Sequence, residues 1–254
     1  MEVHAHSHPS ASSGHQKKWT HYFWEFLMLF LAVFCGFLAE NIRESKLERH
    51  REKEYIRSLA KDLQYDTMQF KETIRKISDK IPFYDSIFQF FINPKAYDNK
   101  IPFRVYMTTN DEIFYTPVEP TIQQLKNSGN LRLIENKLVL DSILIYESHI
   151  NGSFLNQTNY VVEFNKRMLQ LPEKTFDYTY FNQFLNDWFA NKINADPSVY
   201  PLILRPESKE NLKEMYDIYA GTKASEIFYI KTLERMIQEA TNLISFIKKE
   251  YRLE

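Results

Sequence analysis

The sequence predicts a mainly α protein: an N-terminal transmembrane helix continuing into a charged stalk, then a helical, bundle-like domain with long helices. Three observations carry that expectation. Residues Phe26 to Ala39 contain no charged side chain. Behind them, long stretches repeat apolar residues three and four apart, the period of one helix face. The 5 glycines are scattered at Gly14, Gly36, Gly129, Gly152 and Gly221, which suits neither a sheet built on tight turns nor a glycine-rich phosphate loop.

Composition narrows the function classes. A chain of 254 residues, 44% hydrophobic and 26% charged, has room for one sizeable core plus an anchor and is too ordinary in composition to be disordered. Lys+Arg 32 against Asp+Glu 33 leaves no global positive field, so nucleic acid is not an expected partner. The single cysteine, Cys35, excludes an intrachain disulfide or a cysteine-based zinc site.

Residues 1–18 form a polar tail with too little apolar surface to fold. His4, His6, His8 and His15 invite a metal reading, but no carboxylate or thiolate pattern accompanies them, and no metal is assigned. Residues 19–42 are the transmembrane helix, of which Trp19 to Glu40 spans about 33 Å at the α-helical rise, with Tyr22, Phe23 and Trp24 at one interface. Its bulky aromatics, and the lack of a small-x-small site before the charges that follow, argue against a cleaved signal peptide.

Glu25 has two readings, solvation at headgroup level or a place in a helix seam. Spacing gives the second its basis: Glu25, Leu29, Ala32, Gly36 and Ala39 form one heptad stripe holding nearly all the small residues of the segment. Self-association is the expectation, giving a homo-oligomer in contact with membrane lipid. Lys17 and Lys18 precede the span, whereas Arg43, Lys46, Arg49, Arg51, Lys53 and Arg57 follow it. The positive-inside rule then places a single-pass protein in the inner membrane with its large domain cytoplasmic.

Residues 43–55 alternate in charge sign, the pattern of a solvated helical stalk. The domain, 56–254, begins where Ile56, Leu59, Leu63, Phe70, Ile74, Ile77 and Ile81 line one helix face, until Pro82 is expected to interrupt it. Phe83 to Ile92 is a short helix, and Phe103 to Thr108 alternates too briefly to choose between strand and irregular structure. Thr121 to Asn127 is a two-turn helix entered past Pro120 and stopped by Gly129.

Two long helices follow. The first runs from about Asn136 to Leu171 on Val139, Ile143, Tyr146, Ile150, Phe154, Val161, Phe164 and Met168. The second runs from about Glu207 to Tyr251, where the stripe Tyr229, Leu233, Met236, Ala240, Leu243 and Ile247 is widened by Ile230, Ile237 and Ile244, a face wide enough for a packed bundle. Between them Tyr180 to Ile193 carries Phe181, Phe184, Leu185, Trp188 and Phe189, an aromatic helix expected to plug the core.

Two segments carry a resemblance. The stretch Glu25 to Asn41 with its charged continuation Arg51 to Leu63, and the stretch Thr121 to Ser148, resemble an uncharacterised domain-of-unknown-function family of Bacteroidetes-type single-pass membrane proteins. Together they cover about a third of the chain. In the second stretch the shared element is Thr121, Leu125, Ser128, Gly129, Asn130, Leu131, Arg132, Leu133 and Ile134. The resemblance implies an architecture and no activity. Physically, Gly129 permits a positive φ between two helices, and Leu131, Leu133 and Ile134 can dock that link on the core. Arg132 either snorkels outward or pairs with a buried carboxylate.

No HExxH, CxxC, GxSxG or GxxxxGK[ST] string is present. His149 lies next to Ser148 and Glu147, but adjacent helical residues point apart, so it is expected to be a satisfied histidine. Asp62 and Asp66 share a helical face and are expected to face water. The sequence therefore favours a non-enzymatic, membrane-anchored interaction, scaffold or sensor module with an unknown protein partner and no cofactor. Two alternatives stand beside it: a membrane-active or channel-like oligomer using Glu25, and an enzyme whose site is assembled from scattered residues of the helical domain.

Overall fold

The computed structural model describes residues 19–94, 115–168, 170–177 and 203–253, with scattered positions between 179 and 192. Among these the chain is mainly α, as expected. It divides into two compact units, Met1–Glu52 and Lys53–Glu254. One helix of 74 residues, α1 (Trp19–Ile92), belongs to both.

In the first unit the apolar residues of α1 are exposed around the helix, Phe26, Leu29, Val33 and Phe37 among them. The helix is long and apolar enough to cross a membrane. No period separates an inner from an outer face there.

In the second unit α1 is joined by α2 (Pro120–Asn127), a 3-10 turn (Asn130–Leu133), α3 (Lys137–Met168), α4 (Leu171–Thr175) and α5 (Ser208–Tyr251). The two-residue strands β1 (Phe176–Asp177) and β2 (Ile203–Leu204) pair antiparallel. Cross-helix pairs fix directions. Tyr146 meets Asp66, Lys80 meets Glu226, His149 meets Glu239 and Tyr160 meets Thr222, so α1 and α3 run parallel while α5 runs antiparallel to both.

The main core joins Ile56, Leu63, Phe70 and Ile77 of α1 to Val139, Ile143 and Ile150 of α3 and to the α5 stripe from Tyr229 to Ile247. A second, aromatic core gathers Tyr84, Phe90, Phe176 and Tyr219 with Met168, Leu171 and Met215. The four rings meet edge-on or offset, with Tyr84 and Tyr219 centroids 6.0 Å apart and Phe90 and Phe176 6.4 Å apart, arrangements that suit the ring quadrupole.

Pro82 does not end the helix, contrary to the sequence expectation; α1 runs through it to Ile92. Proline forfeits one backbone bond at this point, and the burial of Tyr84, Ile87, Phe90 and Phe91 immediately beyond it offsets that loss. The link after α2 behaves as expected: Gly129 has φ 69, Leu133 and Ile134 are buried, and Arg132 points to solvent. Asn130 also donates to the Tyr55 hydroxyl at 3.2 Å, tying the link to α1. The tail 1–18 and Phe103 to Thr108 lie outside the described residues, as do Phe181, Phe184, Leu185 and Trp188. Phe189, the described member of that aromatic group, is 88% exposed instead of plugging the core.

Candidate functional site

The α1 stripe of three-and-four spacing does not skip its acidic members. Asp66 lies in line with Leu59, Leu63, Phe70 and Ile77 and is only 2% exposed, so it is a core residue and not the water-facing one expected from sequence. A buried carboxylate needs partners, and three donors converge on it. Tyr115 donates its hydroxyl to Oδ1, the Val118 N–H reaches the same oxygen at 3.2 Å, and the Tyr146 hydroxyl reaches Oδ2 at 3.3 Å.

Burial pushes the Asp66 carboxyl up to about 6, its three donors hold it back, and neighbouring Asp62 adds a smaller push upward. The same burial, with the Asp66 charge beside them, drives the Tyr115 and Tyr146 phenols well above the usual tyrosine range. Asp62, one turn away, accepts the Thr121 N–H at 3.2 Å. Glu119, the residue preceding α2, makes no side-chain cap there. A carboxylate of α1 therefore satisfies a first-turn donor of α2 from outside the helix.

Glu119 instead accepts from Asn151 at 2.7 Å, and buried Glu147 pairs with Lys126. Asp62, Asp66, Glu119 and Glu147 thus line one small cavity, of about 30 Å³. That is about one water's share of liquid volume. The cluster can hold a proton and brace α2 against α1 and α3; it has no room for an organic substrate.

The larger opening lies between α3 and α5. A groove of about 610 Å³ is bordered by Gly152, Asn156, Ser225, Phe228, Thr232 and Arg235. A second, of about 310 Å³, continues it past Ser142, Ile145, Asn242 and Phe246, and His149 borders both. The walls are two heptad stripes. On α3 they are Ser142, Ile145, His149, Gly152 and Asn156, and on α5 Phe228, Thr232, Arg235, Glu239, Asn242 and Phe246. Midway along, His149 Nδ1 lies 3.0 Å from Glu239 Oε2, and Arg235 Nε lies 3.9 Å from the other oxygen of that carboxylate. His149 is thus a satisfied surface histidine, without a Ser148 or Glu147 partner.

Phe228 is 73% exposed and Ile145 57% exposed. Among the described residues nothing lies within 4 Å of where a Gly152 side chain would begin, so the α3 wall is open there at its middle. The trough was not visible from spacing, because a stripe beside the core stripe looks the same whether or not a further helix covers it.

The residues singled out in the first unit remain surface features. Glu25 pairs with His21 at 3.1 Å, and Leu29, Ala32, Gly36 and Ala39 are exposed. The family-like element from Thr121 to Ile134 builds the α2 link: Leu125 is fully buried, and the Ser128 hydroxyl donates to the Gln124 carbonyl at 2.7 Å. Among the described residues no three side chains are grouped to hold a metal ion. Comparison with known proteins gives no match to a family model, to a curated protein or to a solved structure.

Proposed function

We propose that the chain is a non-enzymatic, membrane-anchored interaction module whose α3–α5 trough receives one amphipathic helix of a partner protein. The observation that carries this reading is the pair of heptad stripes flanking an opening, since heptad walls are what a further helix packs against. Apolar Ile145 and Phe228 offer anchors towards the ends of the trough, and the His149, Glu239 and Arg235 group in the middle sets register, as polar positions do in helix pairing. The apolar span supports the tether, and the positive charges following it support a cytoplasmic domain in a single-pass inner-membrane protein. The Glu25, Ala32 and Gly36 stripe supports pairing of spans in a homo-oligomer. The competing enzyme reading would have to use His149 and Glu239 in the open groove, or the four-carboxylate cavity after it enlarges many-fold.

The test is Gly152→Leu in the full chain. Filling open space removes a helix-interior glycine, so the bundle gains about 0.5–1 kcal/mol while the trough closes. A photo-crosslinking residue at Thr232 in intact membranes should join a segment of one other protein whose apolar residues recur three and four apart, and Gly152→Leu should abolish the adduct. Adducts that persist in Gly152→Leu, or that form only with a second copy of this chain, overturn the reading.

A further inference from the structure

Away from the trough, α1 and the end of α5 form a cleft of about 500 Å³ within the second unit. Lys53, Arg57 and Lys61 stand on α1 at successive four-residue steps, and Lys248 stands on α5 with Arg252 at the cap just past its end. Ala60 is part of the lining, and no described residue lining the cleft is acidic. We infer that this cleft binds a phosphorylated anion, held by ammonium and guanidinium groups from both helices.

A simpler account covers part of the cluster. Cations in the last turn of a helix complement its dipole, which explains Lys248 and its neighbour Lys249 at the end of α5. It does not explain Lys53, Arg57 and Lys61, which belong to the middle of α1 yet line the same cleft. Arg57 also bonds Glu54 on the exposed side of α1, and that pair leaves Lys53, Lys61 and Arg252 as the cations on which the site rests. Like charges drawn together repel unless an anion joins them.

Arg252 supplies a second, independent observation. Its φ is 49 and its ψ 52, the left-handed conformation that follows helix ends and usually belongs to glycine. An L-residue is strained there, and such strain collects at functional positions. The turn is held by the Leu253 N–H bond to the Lys248 carbonyl at 3.0 Å and by Leu253 and Tyr251 packing on the main core. A glycine would make this turn more easily; arginine there places a guanidinium on the cleft, and guanidinium and ammonium groups together are the usual recognition set for phosphate.

Anion binding at the cleft is independent of the trough and is tested separately, on the full chain in neutral detergent. Calorimetric titration uses inorganic pyrophosphate in one arm and dihexanoyl phosphatidic acid in the other, with dihexanoyl phosphatidylcholine as the control lipid. At least one phosphorylated probe should bind, more weakly as salt rises, and Lys61→Ala and Arg252→Gly should each weaken it about tenfold. Arg252→Gly should leave the melting temperature unchanged or raised, which separates loss of the site from loss of the fold. Binding of pyrophosphate alone assigns a soluble ligand, of phosphatidic acid alone a lipid headgroup, and of both the phosphate group itself. Binding of neither, or binding that survives both substitutions, overturns the inference.

Discussion

The two ends of α1 use apolar residues in opposite ways within one unbroken helix. From Phe26 to Ala39 they face outward around the helix; from Ile56 to Phe91 most of them are buried along one side, with Tyr65 and Met68 as exposed exceptions. Backbone geometry is the same in both stretches, so the solvent and not the helix decides where a side chain is tolerated. A hydrocarbon-facing helix needs no inner face, whereas a water-facing one must hide its apolar side against α3 and α5. Charge follows the same division: the second stretch buries Asp66 and half-buries Lys80, to which other parts of the fold bring partners.

Breaking one of those partnerships gives the largest expected effect. Lys80 and Glu226 pair at 3.2 Å with side chains 12% and 9% exposed. Lys80→Ala strands a buried carboxylate and should cost about 3–5 kcal/mol in chemical unfolding, while Lys80→Met with Glu226→Leu should recover most of that loss. A double variant as unstable as the single one would mean that the pair is not the source of the effect.

Next come the apolar residues themselves. Ile77 is fully buried, so Ile77→Ala should lower the unfolding free energy by about 2–4 kcal/mol. Val33 is 68% exposed, and Val33→Ala should change it by less than about 0.5 kcal/mol. Similar losses from the two would remove the contrast between the stretches.

A pH dependence of similar or slightly smaller size than the Ile77 effect is expected from Asp66. Asp66 is raised to about 6 in the folded chain from about 3.9 when unfolded. The folded state therefore binds more protons between those values, and stability from this group is complete below the unfolded value and lost as pH rises through about 6. Each pH unit separating the folded from the unfolded value contributes about 1.4 kcal/mol, so the difference is about 2–3 kcal/mol between about pH 3.5 and about pH 7. Glu72 and Asp177 are lowered in the folded chain and act in the opposite direction, so the readout is the difference between wild type and Asp66→Asn across the window. Parallel stability curves for the two proteins would show that Asp66 does not titrate there.

Much of this architecture was legible in the sequence where one interaction dominates. The α5 stripe from Tyr229 to Ile247, the α3 stripe from Val139 to Ile150 and the positive φ of Gly129 follow from period and sterics alone. Pro82 misled because local propensity is weaker than the burial of four large side chains just beyond it. Asp66 is less legible because residue type sends a carboxylate to water, whereas its spacing places it in the core stripe. What period cannot encode is which surfaces meet. The trough depends on α3 and α5 being side by side and, among the described residues, uncovered, and the cationic cleft on Lys53 to Lys61 meeting Lys248 and Arg252; both are tertiary facts.

The tether is the element on which the proposed module depends, and alkaline carbonate extraction followed by intact-mass measurement of the expressed chain probes it without intermediaries. The protein should remain in the membrane pellet with residues 19–42 present in its mass. Recovery in the soluble fraction, or a mass lacking that segment, would show that no tether exists.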